Sequence, residues 1–205
     1  NNAFANCFSI EEIVIPSSVT LIGDYAFYGC TSLGQITIPF SVQRIGDSSF
    51  AQCPSLSKIA ILSKATIGKK VFHDCVSVEI SGILIVNKKL FGKSLIKQLT
   101  IQSPAKYIGN CSFKDCDSLE NITIPSSVIS ISSHAFENCY HLKSLIIPPS
   151  VTSIKTGTFQ NCIYLTEITI PPSVTIIKDY AFASCRSLQQ VTIPSSVSSI
   201  GMKAF

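Results

Sequence analysis

In the stretch Leu119–Pro125, apolar side chains stand at Leu119, Ile122 and Ile124, and polar ones at Asn121 and Thr123. The two-residue step from Ile122 to Ile124 is the period of a strand, so these two point into a core while Asn121 and Thr123 face out. β-Branched Ile and Thr suit a pleated surface. Pro125 then ends the strand, because it has no N–H for a ladder. A second short extended piece places Val128 and Ile131 inside. A turn follows, occupied by Gly in several places (Gly23, Gly46, Gly68, Gly109, Gly201), where a left-handed or tight backbone is convenient. Ser132, Lys155 and Lys178 take that place elsewhere, so a positive φ is not obligatory there. The Ala-Phe-x-x-Cys segment that follows, with Phe and Cys three apart, predicts one turn of helix or 3₁₀ helix with both side chains inward.

The same pattern recurs along the whole chain. Cys7, Cys30 and Cys53 fall 23 residues apart, as do Cys116, Cys139, Cys162 and Cys185. Phe4, Phe27 and Phe50 keep that step, as do Phe113, Phe136, Phe159, Phe182 and Phe205, and a Pro series runs alongside them. The consensus is L-x-x-I-T-I-P-S-S-V-T-x-I-G-x-x-A-F-x-x-C-x-S. Units run Ile10 to Ser32, Leu33 to Ser55, Leu56 to Ser77, Ile96 to Ser118, Leu119 to His141, Leu142 to Tyr164 and Leu165 to Ser187, with a partial Leu188 to Phe205. A short, regular period signals a solenoid, in which one coil cannot bury its own apolar face and stability is collective. About nine coils at ~4.8 Å per strand predict a core roughly 40 Å long.

Between Val78 and Leu95 the pattern breaks. "VEISGILIVNKKLFGKSL" lacks the Ala-Phe-x-x-Cys signature, and the preceding unit is one residue short, with Leu62 where Pro is expected. Two apolar runs around "NKK" predict a hairpin-like insertion at 78–95. The competing reading is a degenerate coil still in the stack.

These repeats, for example "LGQITIPFSVQRIGDSSFAQC" and "LTEITIPPSVTIIKDYAFASC", resemble the BspA-like, Treponema-type leucine-rich repeat family, whose mark is a 23-residue unit ending in A-F-x-x-C. The match covers nearly the whole chain. The resemblance implies a β-rich solenoid, a right-handed leucine-rich repeat superhelix with a parallel β-sheet on its concave side and short helical turns. It also implies a surface-exposed or secreted, adhesin-like role, with binding to extracellular matrix or host cells. Only scaffold positions carry over, and Val78 to Leu95 departs from the family pattern. Residues 1–205 then form a single solenoid, expected to be a fragment of a longer array because the chain starts without Met and in mid-pattern. Both ends stop inside a repeat without a polar cap, which predicts end-to-end association or a longer parent.

Composition agrees with a folded β-rich chain: 46% of the 205 residues are hydrophobic and only 14% charged. No apolar run reaches the ~18 residues of a membrane span. Nine Cys invite a disulfide or metal reading, but eight of them share one repeat position. Stacked coils would hold their Cβ atoms near ~4.8 Å rather than the preferred ~3.8 Å, so buried free thiols are expected. Cys111 and Cys116 form the one local pair to check. No Cys-x-x-Cys or Cys-His zinc spacing occurs, and neither a metal nor a cofactor is expected. His73, His134 and His141 share no setting and no catalytic motif appears, so a non-enzymatic protein is expected.

Two sets of surface residues are candidates for binding. One is the outward ladder Glu12, Gln35, Lys58, Gln98, Asn121, Ser144, Glu167 and Gln190, beside a second ladder Val14, Thr37, Ala60, Thr100, Thr123, Ile146, Thr169 and Thr192. A rigid face of this kind costs little ordering entropy on binding a protein. The other is a basic band. Nine Lys between positions 58 and 106 face only Asp74 and Glu79, a local +7 that leaves −3 for the rest of a chain of net charge +4. Lys58 and the band proper, Lys64, Lys69, Lys70, Lys88, Lys89, Lys93, Lys97 and Lys106, would suit an acidic partner, and would equally keep an apolar solenoid soluble. Aromatic side chains are not interleaved with them, which disfavours single-stranded nucleic acid. Asn110-Cys111-Ser112 and Asn121-Ile122-Thr123 are glycosylation sequons, relevant if a eukaryote secretes the chain. What the family resemblance implies as partner is a protein ligand, an extracellular-matrix or host-cell surface protein, met at the cell surface. An intracellular scaffold or regulatory subunit is the alternative.

Overall fold

The computed structural model describes residues 1–61, 65–75, 77–82, 85–86, 96–101 and 105–205. Its spine is one eight-stranded sheet of Glu12–Val14, Gln35–Ile38, Lys58–Ile61, Ser77–Gly82, Gln98–Ile101, Asn121–Thr123, Ser144–Ile146 and Glu167–Thr169, all parallel and in chain order. Alternation is visible in the strands whose side chains are described: in Gln35–Ile38, Ile36 and Ile38 are buried, and Gln35 and Thr37 exposed. The second extended piece of each coil builds three smaller parallel sheets on another side of the stack. Eight successive strands enclose seven complete turns, fewer than the nine coils expected, since Gln190–Thr192 is not in a strand.

The interior is one hydrophobic cluster running from Ile22 to Ala204. Phe27, Phe50, Phe72, Phe113, Phe136, Phe159 and Phe182 are buried in it. Their rings stack along the axis, Phe27 on Phe50 at 5.1 Å and Phe136 on Phe159 at 5.5 Å between centroids. The Cys column is buried beside them, and all nine Cys are free. The thiols are more than small hydrophobes: Cys53 Sγ donates to the Phe27 carbonyl at 3.1 Å, and Cys30, Cys75, Cys139, Cys162 and Cys185 repeat the bond one coil apart. Each thiol thus engages a carbonyl oxygen inside the core. Burial pushes Cys53 up to about 12 and raises Cys30, Cys75, Cys116 and Cys162.

The Ala-Phe-x-x-Cys segments are not helical turns. The residue two before Phe and the residue before Cys are both left-handed: Tyr25 (φ 56°) and Gly29 (φ 70°) in one coil, His134 (φ 56°) and Asn138 (φ 63°) in another. An α-helix needs consecutive right-handed residues, so a left-handed residue every fourth position excludes it. Alternate N–H groups close i−3 turns (Tyr28 to Tyr25, Cys30 to Phe27), while those between reach the next coil (Phe27 to Ser49, Gly29 to Ala51). The segment therefore satisfies its backbone between coils, as a strand does.

The turn glycines Gly23, Gly46, Gly68 and Gly201 serve a close approach rather than a positive φ. A Cβ on Gly46 would collide with the amide nitrogen and Oδ1 of Asp24 one coil earlier. That same Oδ1 accepts a hydrogen bond from the Asp47 N–H at 2.9 Å. Asn1, Asp47 and Asp179 repeat the arrangement toward Asp24, Lys69 and Met202. Asp or Asn in one coil thus goes with Gly in the next.

The described part of the irregular segment lies in the stack. Ser77–Gly82 pairs in parallel with Lys58–Ile61 on one side and Gln98–Ile101 on the other. Ile85–Val86 pairs in parallel with Tyr107–Ile108 in a different sheet. The apolar run after "NKK", which would be the second arm of the expected hairpin, lies with 83–84 and the rest of 87–95 outside the described residues. Lys58 pairs with Glu79 and Glu79 with Thr100, so the stretch from 58 to 100 holds two coils of 21 residues in place of 23.

Candidate binding face

The outward face of the long sheet carries the candidate residues, because strand alternation turns every second side chain away from the core. Glu12, Gln35 and Lys58 stand in direct register, as expected. The ladder then departs from the expected order. Lys58 is followed by Glu79, Thr100 and Thr123, while Gln98 lies opposite Ser77 and begins a second row through Asn121, Ser144 and Glu167. Seven of the eight residues therefore form two rows offset by two positions along the strands. Gln190, outside any strand, is exposed beside Glu167.

The N-terminal part of this face is hollow. A groove of about 960 Å³ opens over the first three strands, with Glu12, Gln35 and Lys58 along it and Val14, Pro39 and Phe40 among its walls. Val14 is 82% and Phe40 75% exposed. Pro39 fixes the strand end from which Phe40 projects. A shallower hollow of about 580 Å³ adjoins it, lined by Glu11, Glu12, Gln35 and Lys58 among others. Phe40 was absent from the residues singled out above. The signal was present, since the repeat places Ser at that position in "IPSSV". Ile146, 78% exposed, is a second apolar departure from the Thr of the consensus.

The described lysines of the basic band stand on different parts of the coils. Lys58 lies on the sheet face, Lys69 and Lys70 in the turn after a strand of a smaller sheet, and Lys106 beside another such strand. Lys97 sits at the sheet edge 3.7 Å from Glu120, which also accepts a bond from Lys143 at 2.6 Å. Those partners, Lys143 first, hold the Glu120 carboxyl below its ordinary range. Lys64, Lys88, Lys89 and Lys93 lie outside the described residues. Among the described residues, no group of three or more His, Cys, Asp or Glu is placed to hold a metal ion, and no helix is long and apolar enough to cross a membrane. Asn121, the second sequon asparagine, is exposed on the sheet face.

A parallel β-solenoid with a stacked Phe and Cys interior and a groove on its long sheet is the architecture of a leucine-rich repeat protein. The chain belongs to the family described as BspA type leucine-rich repeat region, which matches in six copies over residues 1–82 and 84–205. Among solved structures it is similar to a leucine-rich repeat protein from Bacteroides ovatus, with 28% identity, a TM-score of 0.60, and 99% of this chain and 60% of that one covered. It is also similar to a leucine-rich cell surface protein from Faecalibacterium prausnitzii, with 25% identity, a TM-score of 0.51, and 96% and 66% covered. The chain thus spans under two thirds of the length of either protein. No curated protein matches it.

Proposed function

We propose that the chain is a non-enzymatic protein-binding segment of a cell-surface or secreted, adhesin-like protein, recognising a host or extracellular-matrix protein through the face of its long sheet. The observation that carries this reading is the groove over Glu12, Gln35 and Lys58, walled by the exposed Val14 and Phe40. Apolar side chains held open to solvent on a rigid sheet gain from burial and lose little entropy on binding. The cell-surface description of the Faecalibacterium protein supports the placement. The buried thiols do not argue for the intracellular alternative, because each described carbonyl bond gives the thiol a structural use in either compartment.

The test is binding of the full chain to immobilised matrix proteins and to host cells, beside a variant with Val14→Thr, Phe40→Ser and Ile146→Thr. These changes restore the repeat's own consensus and leave the core alone. The expected result is at least a ~10-fold loss of affinity. Equal binding by the two proteins would contradict the reading.

A further inference from the structure

The groove has a charge pattern with a fixed length. Glu12, Gln35 and Lys58 sit on adjacent strands in direct register, so the carboxylate and the ammonium are two strand spacings apart, about 9.6 Å. Glu11 adds a second carboxylate near the Glu12 end. Among the described residues, Glu12 and Lys58 make no ion pair, and Glu79 is next in register beyond Lys58. Two positions along the strands runs the row Val14, Thr37 and Ala60, apolar at its two ends, with the exposed Phe40 among the same groove walls.

Resting on the reading that the sheet face is the binding surface, we propose that this groove takes a polyproline II segment of a partner protein, carrying a basic and an acidic side chain three residues apart. The basic one meets Glu12, the acidic one meets Lys58, and a proline or other apolar side chain packs on Val14 and Phe40. The spacing selects the conformation. Polyproline II has three residues per turn and a 3.1 Å rise, so residues three apart share a side about 9.3 Å from each other. An extended strand repeats its sides every ~6.6 Å and offers ~6.6 or ~13 Å, on either side of the required distance. A helix comes within range at seven residues, about 10.5 Å, but its backbone is already internally bonded. The Gln35 amide, midway between the charges, has a donor and an acceptor to offer, which a polyproline II backbone can use and a helix backbone cannot. An aromatic wall next to a proline is also the usual seat for such segments.

The test measures fluorescence anisotropy of the full chain with labelled proline-rich host peptides carrying Arg and Glu two, three or four residues apart. An Ala-rich helical host with a spacing of seven is the fourth probe. The expected result is that the three-residue spacing binds at least ~10-fold tighter than the others. Glu12→Lys, Lys58→Glu and Phe40→Ser should each remove that preference, with Glu79 unchanged throughout. Deuterium uptake of each complex locates the peptide. Binding in the groove with equal affinity at all spacings, or best with the helical host, overturns this inference and leaves the sheet-face reading standing. Binding that maps away from the sheet overturns both. No binding by any host at 1 mM overturns the inference alone, since the matrix and cell experiment tests the face independently.

Discussion

The coils over 12–58 and those over 58–100 use the same strands to different lengths. In the first, successive strand positions are 23 residues apart, as in Glu12, Gln35 and Lys58, and Phe27 stacks on Phe50 at 5.1 Å. In the second, Lys58, Glu79 and Thr100 are 21 apart, the consensus Pro is lost, Phe-x-x-Cys is kept as Phe72 and Cys75 in the first coil but absent from the sequence of the next, and Phe50 to Phe72 has widened to 6.0 Å. The sheet nevertheless runs through both. Backbone pairing tolerates the loss of two residues per coil because the ladder needs only strand length and direction. Side-chain columns are less tolerant, since each depends on residue type and register together. The consequence is functional: the shift breaks the outward row after Lys58, and the charged row Glu12, Gln35, Lys58 stays separate from the polar row Gln98, Asn121, Ser144, Glu167.

The largest effect should come from the regular interior. Phe159→Ala, at a ring stacked on Phe136 and Phe182, should cost about 3 to 5 kcal/mol in urea unfolding. Phe205→Ala, at a ring 49% exposed, should cost clearly less. Equal losses would mean that the column is not a continuous interior.

Next is pH. Cys53 holds its proton up to about 12 when folded, against an ordinary 9.0, so the folded chain binds more protons than the unfolded one above that value. The contribution is complete below about pH 9 and is lost as pH rises toward 12. Unfolding free energy should fall by up to ~1.4 kcal/mol per pH unit for each such thiol, with Cys75, also raised by burial, adding to it. Cys53→Ala should flatten the slope by one thiol's share. A stability flat from pH 8 to 10.5 would contradict the buried column.

Smaller is the coil-to-coil fit. Gly46→Ala should destabilise by ~1 to 3 kcal/mol, because its Cβ meets the Asp24 backbone. Combining it with Asp24→Ala should recover little, since the nearest obstacle is backbone. The smallest effect is at Ser49, fully buried with no hydrogen-bond partner for its hydroxyl, where Ala26, Ala135, Ala181 and Ala204 stand in other coils. Ser49→Ala should be neutral or raise stability by up to ~1 kcal/mol, read from the same urea midpoint.

The inward columns were legible because strand period and repeat period both act on residue type: Ile36 and Ile38, Phe50 and Cys53 are where the sequence places them. The turn geometry was not, since Phe and Cys three apart fit a helical turn and a segment flanked by two left-handed residues equally well. The order of Lys58, Glu79 and Thr100 was hidden because the consensus Pro is missing from both coils and the Phe and Cys markers from the second. The groove escaped for another reason. Phe40 follows the strand rather than lying in it, so a search along the ladders passed over it. Two signals would have found more: Phe where the repeat has Ser, and Gly one coil after Asp or Asn.

The central claim is that the long sheet runs unbroken through the irregular region. Amide exchange of Ser77–Gly82 tests it most directly, because that strand is paired on both sides. The account predicts slow exchange, on the order of 1,000-fold protected and comparable with Gln35–Ile38. Exchange within seconds, with protection kept on either side, would show the sheet broken there and contradict it.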